Sequence, residues 1–497
     1  MHLTRLAGGL ALVLSSGAAL ASQGPDDVAA RLAALVPRLM EEAVVPGVQI
    51  ALIRNGSTAW HGAFGLANTR TGAPVTEASV FEAASLTKPL FAYAVLKLVD
   101  EGRLDLDAPL VTYLPGRYDL ESDDLLRSLT ARHVLSHRTG FPNWRPSGQP
   151  LKIHFTPGER FSYSGEGFVY LAAVVERITG ETIEAFVRRR VFEPLAMASS
   201  SLVWQARYET LKVFGHGVIG NVTGRGAPWR PNAAASLHTT AQDYAKFVAA
   251  AIAGVGLRPE TARQMLMPQS RLDEGGFNTA TTPPTGRLEA SLAWGLGWGL
   301  EEDAHGWSVW HWGDNGPVTA YVAASPSQKT GVVLFLNSQN GLTMVPAVIR
   351  ELRGRPSRTF GWLEIQDPVP ALAAFVRTMR EQGVSGALDQ YRASRRSRPA
   401  EAPLGEGTVN GIGYALLRDR QAQDAIRVLE LNVEDHPESW NAYDSLGEAL
   451  VAAGESARAI QAYARSVELN PANAGGVEAL KKLSSERPKA PVEPPSP

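Results

Sequence analysis

Apolar and polar positions in the first hundred residues change from strand-like runs to helical spacing. Residues 48–53 and 58–64 are apolar runs separated by the sequence Arg-Asn-Gly-Ser at 54–57. Because Asn-Gly between two such runs is typical of tight turns, this segment predicts a β-hairpin. Residues 88–101 place apolar side chains at helical spacing, which predicts a helix. Pro89 is compatible with it, because the first helical turn tolerates proline.

Strand-like runs return toward residue 340. The four runs are residues 292–300, 307–312, 318–324 and 331–336. Helical patterns fill the middle of the chain, including residues 169–179. Strands at both ends with helices between them predict an α/β (α+β) sandwich, in which the N- and C-terminal strands share one sheet.

The last third of the chain has a repetitive pattern. Residues 354–405 combine prolines and arginines with interrupted helical stretches, which predicts a helical connector. Over residues 406–483, seven residue pairs match at a separation of 34 positions, the tetratricopeptide period. The pairs are Gly413 with Gly447, Leu416 with Leu450, Ala425 with Ala459, Ile426 with Ile460, Val433 with Val467, Glu434 with Glu468, and Pro437 with Pro471. We therefore predict an all-α tetratricopeptide module that binds a protein or peptide partner, and whose few repeats are covered by the connector or the first domain.

The two ends of the chain differ from the rest in composition. Arg5 precedes an apolar stretch and small residues near position 21, which predicts a secretory signal peptide over residues 1–21. Its apolar core is short for a membrane span. We expect a periplasmic or secreted protein with no membrane span after signal cleavage. Residues 484–497 are proline-rich and predict a disordered tail.

Overall composition narrows the function classes. A chain of 497 residues indicates two or more domains. The net charge of −2 gives no support to nucleic acid or an anionic membrane as a partner. The sequence has no cysteine, which excludes disulfides, thiolate catalysis and a lipoprotein anchor.

Candidate chemistry begins at Ser85. Of the nine lysines, only Lys88 has a serine three positions before it. Residues three apart lie on one helical face, so the Lys88 amine can reach the Ser85 hydroxyl. A serine is a poor nucleophile until a neighbouring base takes its proton. By itself the pair is weak support, because a serine at a helix start is often only a cap.

Two later motifs strengthen the assignment: Tyr163-Ser-Gly165 precedes a helical pattern, and His311-Trp-Gly313 closes a strand-like run. S-x-x-K with two downstream motifs is the set of penicillin-binding proteins and β-lactamases. The present version resembles the class C β-lactamase-like branch of the penicillin-binding-protein-like serine hydrolase superfamily. That branch also holds D-aminopeptidases, DD-carboxypeptidases and many serine esterases. The resemblance covers residues 46–340, with further matches at residues 130–142, 156–159 and 235–243.

The resemblance implies a serine hydrolase domain over residues 25–353 that needs no cofactor. Ser85 would be acylated, and Lys88 and Tyr163 would act together as its general base, with Lys88 favouring the Tyr163 phenolate. Tyr163 would return the proton to the leaving group. The backbone N–H groups of Ser85 and Asp314 would form the oxyanion hole, each contributing roughly 2.7–4 kcal/mol. The residues expected to bind substrate are Gly165, His311, Trp312 and Gly313.

Three departures from the β-lactamase pattern bear on the substrate. Gly165 stands where the family often has asparagine, and Ser164 or Glu166 would have to compensate. His311 replaces a lysine and Trp312 a hydroxyl residue, and both changes weaken recognition of the β-lactam carboxylate. We therefore expect an esterase or a peptidase, acting on esters or D-amino-acid peptides. Two alternatives stay open: β-lactamase or DD-carboxypeptidase activity, and a non-catalytic scaffold that binds peptide or peptidoglycan.

Two other patterns receive no chemical role. Residues 329–331 spell K-T-G but follow the third motif, and we predict an exposed hairpin turn there. His133 and His137 are four apart on a predicted helix, a spacing that could hold a metal. No third ligand at a suitable spacing accompanies them, so we predict no metal site.

Overall fold

A computed structural model describes residues 25–115, 118–120, 125–282, 284–397 and 404–485. The predicted signal peptide lies outside the described residues, as do residues 398–403 of the predicted connector and residues 486–497 of the predicted tail. In the described ranges, no helix combines the length and the apolar composition needed to cross a membrane.

One large antiparallel sheet organises the first 350 residues. The strands are β1 (Gly47–Arg54), β2 (Ser57–Asn68), β3 (Ala73–Pro74), β4 (Phe81–Ala84), β5 (Gly215–His216), β6 (Val222–Gly224), β7 (Leu237–Thr239), β8 (Ser270–Asp273), β9 (Leu288–Trp294), β10 (Gly299–Asp303), β11 (Gly306–Asp314), β12 (Thr319–Ser325) and β13 (Thr330–Leu336). Nine of them pair in the order β3-β2-β1-β13-β12-β11-β10-β9-β8. Val48 of β1 lies opposite Leu336 of β13, so the first and last strands share one sheet, as expected.

Helices cover both faces of this sheet. Along the chain the helices are α1 (Pro25–Ala43), α2 (Thr87–Asp100), α3 (Ala131–Leu135), α4 (Gly165–Thr179), α5 (Ile183–Val187), α6 (Tyr208–Leu211), α7 (Ala241–Ile252), α8 (Pro259–Met265), α9 (Val345–Arg353), α10 (Thr359–Trp362), α11 (Pro370–Ser397), α12 (Glu406–Arg418), α13 (Ala422–Asp435), α14 (Trp440–Ala452), α15 (Ser456–Leu469) and α16 (Ala474–Ser485). Of these, α12 to α16 belong to the C-terminal helical region and not to the layers on the sheet. Alternate residues of β1 enter different cores, as strand geometry requires. Ala51 and Ile53 pack with α2, α4 and α7. Ile50 and Leu52 pack with α1 and α9 on the opposite face.

The hairpin predicted near residue 55 is confirmed. Asn55 and Gly56 both have positive φ angles, 51° and 74°, and join β1 to β2. Consecutive positive φ values match the twist of the flanking strands, which explains the Asn-Gly sequence. The K-T-G segment starts in a hairpin turn as well: residues 326–329 join β12 to β13 with Lys329 exposed, and Thr330 and Gly331 begin β13.

The single strand predicted over residues 292–300 is wrong, because two strands occupy this range. β9 ends at Trp294 and β10 begins at Gly299. Between them Gly297 has a φ of 86°, a conformation that favours glycine. The Gly297 N–H donates to the Leu135 carbonyl at 2.7 Å. Residues 295–298 form the turn between the two strands, closed by the Gly295 N–H on the Trp298 carbonyl at 2.8 Å, and the Leu135 contact joins this turn to the end of α3.

A C-terminal helical region follows, built from paired helices. Gly413 of α12 packs against Leu429 of α13, where a Cβ would lie 2.6 Å from the leucine side chain. Gly447 of α14 contacts Tyr463 of α15 in the same way. These glycines, 34 positions apart, therefore permit the same close helix approach. The core of the region also contains Val218 from the first domain, so the two parts pack together.

Candidate active site

Ser85 lies in the short connection between β4 and α2. β4 ends at Ala84, whose φ of 47° is strained for a residue with a side chain. α2 begins at Thr87, and its side chain donates to the Ala84 carbonyl at 2.7 Å. This sharp turn leaves Ser85 partly exposed at the start of an almost fully buried helix.

Lys88 is fully buried one turn further along α2. Its Nζ donates to Ser85 Oγ at 3.1 Å and to the Ala234 carbonyl at 2.9 Å. Burial lowers the pKa of Lys88 to about 7, because no described acidic group offsets the loss of hydration. A large share of Lys88 is thus neutral near pH 7, and the neutral amine can accept the Ser85 proton.

Tyr163 lies on the other side of the lysine amine, with its ring centroid 4.7 Å from Nζ. Its hydroxyl has no hydrogen-bond partner of standard geometry among the described residues. Burial raises the pKa of Tyr163 well above its usual range, although the nearby Ser85 hydroxyl opposes the rise. This direction gives no support to the expectation that Lys88 favours a Tyr163 phenolate, which stays a prediction. Burial thus favours the protonated form of the phenol and the neutral form of the Lys88 amine.

The end of β11 directs a backbone donor toward an open edge of the sheet. The Asn315 N–H donates to the Val318 carbonyl at 3.1 Å. Backbone groups of an antiparallel strand alternate between its two edges, so the Asp314 N–H is directed away from β12. On that side β10 pairs with β11 only as far as Trp310. The Asp314 N–H is therefore available to a ligand.

Two contacts bring this strand end close to Ser85. A Cβ on Gly313 would lie 2.4 Å from the Ala83 carbonyl, so only glycine allows β11 to pass so near β4. The Asn315 side chain donates to the Glu82 carboxylate of β4 at 3.2 Å. Gly313, predicted to bind substrate, thus acts first as a packing residue that positions the neighbouring N–H group.

The geometry agrees with what comparisons with known proteins find. A family model described as Beta-lactamase matches residues 32–353. The chain belongs to the beta-lactamase family of serine hydrolases. Esterase EstB of Burkholderia gladioli is 29% identical over 323 residues, which cover 54% of this chain and 79% of that protein. Protein flp of Staphylococcus aureus is 21% identical, and the match spans 63% of this chain and 63% of flp, less than two thirds of its length.

Solved structures of family members share the fold. The D-alanine carboxypeptidase AmpC of Burkholderia cenocepacia superimposes with a TM-score of 0.54 at 19% identity. The match covers 67% of this chain and all of that one. At this identity the likeness supports the fold alone, an α/β arrangement with a large sheet and helices.

The family lysine position is occupied by a neutral histidine. His311 is fully buried, and its Nδ1 lies 2.7 Å from the Trp312 carbonyl, so Nδ1 carries the proton. Burial and the nearby Lys88 lower the pKa of His311 to about 3. Its ring lies 6.0 Å from that of Tyr163 and has no solvent exposure. In this state His311 brings no positive charge to a substrate, and its side chain is not open to the cleft.

Trp312, the next residue of β11, makes this part of the strand apolar. Its indole packs 4.8 Å from the Tyr163 ring and 5.4 Å from the Phe277 ring, between centroids. The hydroxyl group found at this position in β-lactamases is thereby replaced by an apolar surface. A substrate carboxylate loses one of its hydrogen-bond donors here.

His137 is a residue of the site that the sequence interpretation missed. It was considered only as a metal ligand with His133, but α3 ends at Leu135 and His137 has a φ of 54°, so the two histidines do not share one helix. No metal-binding cluster of three or more suitable side chains occurs in the part of the chain that the structure describes. His137 instead stacks on Tyr163 with ring centroids 4.3 Å apart. Its Nδ1 accepts the Ser164 N–H at 3.0 Å, which fixes the segment that carries Tyr163.

Neither neighbour of Gly165 replaces the missing asparagine. The Ser164 hydroxyl donates to the Pro142 carbonyl and caps α4. The Glu166 carboxylate pairs with Arg145 at 3.0 Å. A Cβ at position 165 would lie 2.7 Å from the indole of Trp144, so another side chain already fills the space. A glycine at this position indicates that something packs there, but only the structure identifies Trp144.

We predict that hydrolysis depends on pH through Lys88. The neutral amine is the form that accepts the Ser85 proton, and its pKa is lowered to about 7. Activity should therefore rise with pH and reach half its plateau near pH 7, and it should be lost as pH falls below that value. The measurement is kcat/KM for an uncharged ester from pH 5 to 9. A profile that stays flat below pH 7 would contradict the assignment.

Proposed function

We propose that this protein hydrolyses uncharged esters or peptide-like amides through an acyl-enzyme on Ser85. The observation that carries the proposal is the 3.1 Å hydrogen bond between the buried Lys88 amine and the Ser85 hydroxyl. A buried lysine without an ion pair lowers the stability of the fold. Groups whose pKa is perturbed in this way concentrate at functional sites, which supports a catalytic role for Lys88.

In the proposed mechanism each residue of the site has its own step. Ser85 Oγ attacks the substrate carbonyl carbon while its proton passes to neutral Lys88. The N–H groups of Ser85 and Asp314 hold the oxyanion that forms. Tyr163 gives its proton to the leaving oxygen or nitrogen and regains one from the Lys88 ammonium. Water then attacks the acyl-enzyme, and the same groups act in reverse to release the acid and free Ser85.

The charges around the cleft favour a substrate without a carboxylate. His311 is neutral, and Trp312 offers no hydroxyl group, so two contacts that would hold an anion are missing. The Asp314 side chain at the end of β11, whose pKa is raised by burial, adds no positive charge that would hold an anion. Similarity to an esterase, EstB, points in the same direction.

Two other functions receive less support. A β-lactamase or DD-carboxypeptidase must hold a substrate carboxylate, which the groups just described disfavour. A scaffold without catalysis has no need for Lys88 and Tyr163 beside Ser85. Similarity to penicillin-binding protein 4 of Amycolatopsis lactamdurans, 25% identical over 346 residues, is the observation that favours penicillin binding.

We further propose that residues 406–483 are tetratricopeptide repeats that bind a protein or peptide partner. The 34-residue spacing and the equivalent contacts of Gly413 and Gly447 support this. Export through a signal at residues 1–21 is also proposed, which fits a periplasmic or secreted hydrolase. Recovery of the uncleaved protein from the cytoplasmic fraction would contradict export.

Replacing the nucleophile tests the main proposal. Ser85→Ala should abolish hydrolysis of nitrophenyl acetate and butyrate, because Ser85 is the one serine of the sequence that lies three positions before a lysine, and its hydroxyl is bound to that lysine amine. Circular dichroism should show an unchanged fold, since the Ser85 side chain is small and partly exposed. Turnover equal to wild type in a folded variant would remove the mechanism.

The substrate class has its own test. We expect nitrocefin to be hydrolysed at least tenfold more slowly, in kcat/KM, than the best nitrophenyl ester, because losing a hydrogen bond to a charged group costs about 1.5–3 kcal/mol. The experiment compares both substrates on one enzyme preparation. Equal values would reject an uncharged substrate and favour the β-lactamase alternative.

Truncation tests whether the helical repeats contribute to catalysis. All the proposed catalytic groups lie before residue 354, so a protein ending at residue 398 should still react with a fluorophosphonate at Ser85. Thermal unfolding must first show that the shortened protein is folded. Loss of labelling in a folded truncated protein would place part of the active site in the C-terminal region.

A further inference from the structure

Trp144 is a large apolar side chain left open beside the catalytic groups. It is 47% exposed, whereas the tryptophans of β9 and β11 near the site, Trp294, Trp310 and Trp312, are buried. Its ring centroid lies 6.0 Å from Lys88 Nζ. The same ring covers Gly165, where a Cβ would come within 2.7 Å of two indole atoms. The indole therefore forms part of the surface around the reactive lysine.

The residues on either side of Trp144 are anchored. The Asn143 carbonyl accepts the N–H groups of Gly165 and Glu166 at 3.0 and 3.1 Å. Arg145 donates its own N–H and its guanidinium to the Glu166 carboxylate at 3.2 and 3.0 Å. Both neighbours are thus tied to the first turn of α4, directly after Tyr163. An indole held in this way loses little conformational freedom when a ligand binds to it.

This arrangement has no evident use in folding alone. An exposed indole contributes less to stability than a buried one, because much of its apolar surface stays in water. The position opposite it must also remain glycine, which weakens the start of a helix by its greater freedom in the unfolded chain. Fixed aromatic surfaces next to reactive groups are typical of substrate sites.

We propose that Trp144 is a specificity-determining residue that stacks on an uncharged aromatic group of the substrate. The inference rests on the proposed hydrolysis at Ser85 and names the class of ester that the site prefers. Aromatic rings favour offset or edge contacts with an indole. A cationic substituent would also be drawn to the ring, but the fraction of Lys88 that is protonated near pH 7, with Nζ 6.0 Å from the same centroid, would repel it. Gly165 is the residue that keeps the space for the indole.

The test compares esters that differ only in one aromatic group. The first pair, nitrophenyl benzoate and nitrophenyl acetate, differs in the acyl group. The second pair, phenyl acetate and ethyl acetate, differs in the alcohol group. In wild type the aromatic member of at least one pair should have the higher kcat/KM relative to its uncatalysed hydrolysis. Trp144→Ala should lower that preference about tenfold, and Trp144→Phe should restore part of it.

A second variant approaches the same contact from the opposite side. Gly165→Ala places a methyl group against the indole and should displace it, so the aromatic preference should fall as in Trp144→Ala. The double variant should show no further loss, because both changes remove one contact. Trp440→Ala is the matched control, an exposed tryptophan (38%) on α14 that should leave both ratios unchanged.

The outcomes separate this inference from the function on which it rests. Fluorophosphonate labelling of Ser85 should persist in every variant, since none of them removes a catalytic group. If wild type is not labelled, the proposed hydrolase function fails. If labelling persists but Trp144→Ala keeps the wild-type ratios in both ester pairs, the role of Trp144 is rejected and hydrolysis stands. A preference that shifts equally in Trp440→Ala would also reject it.

Discussion

The burial of Lys88 is the constraint on which the rest of the site depends. Its amine lies within the core between α2 and Tyr163, hydrogen-bonded to Ser85 and to the Ala234 carbonyl. A permanently charged ammonium in this position would require a nearby carboxylate, and none of the described residues supplies one. The protein therefore stabilises the neutral amine, which is the chemical form that activates a serine. The same burial that makes the helix part of the core lowers the pKa of its lysine, as the proposed role as a base requires.

Three distant segments must converge around that amine. The turn between β4 and α2 carries Ser85, the residues before α4 carry Tyr163, and the end of β11 carries the Asp314 N–H. Each is held by a local contact that tolerates little change: the strained φ of Ala84, the His137 ring that accepts the Ser164 N–H, and the close approach at Gly313. The large sheet supplies the rigid frame, because β11 is one of its inner strands and its free edge begins where β10 stops.

The side chains around Ser85, Lys88 and Tyr163 are mostly aromatic and carry little charge. His311 is kept neutral by burial, Trp312 lies on Tyr163, and Trp144 covers Gly165. Compared with the β-lactamase pattern, Ser85, Lys88 and Tyr163 are kept, whereas the side chains that would hold a substrate carboxylate are absent. A common catalytic core combined with an apolar rim accounts for the expected preference for uncharged acyl donors over β-lactams.

Local sequence determined the elements and the order of the motifs. The Asn-Gly turn, the helix that begins near Ser85 and the 34-residue repeat all depend on neighbouring residues, so they could be predicted from the chain alone. The tertiary structure decided what depends on distant contacts: the position of the 295–298 turn against the Leu135 carbonyl, the contact of the His137 ring with Tyr163, and the directions in which burial shifts the pKa values of Lys88 and Tyr163. A pKa follows from burial and from partners far away in sequence, which no local pattern encodes. For the same reason the sequence showed that position 165 lacks the asparagine side chain, but only the folded chain showed that the Trp144 indole lies there.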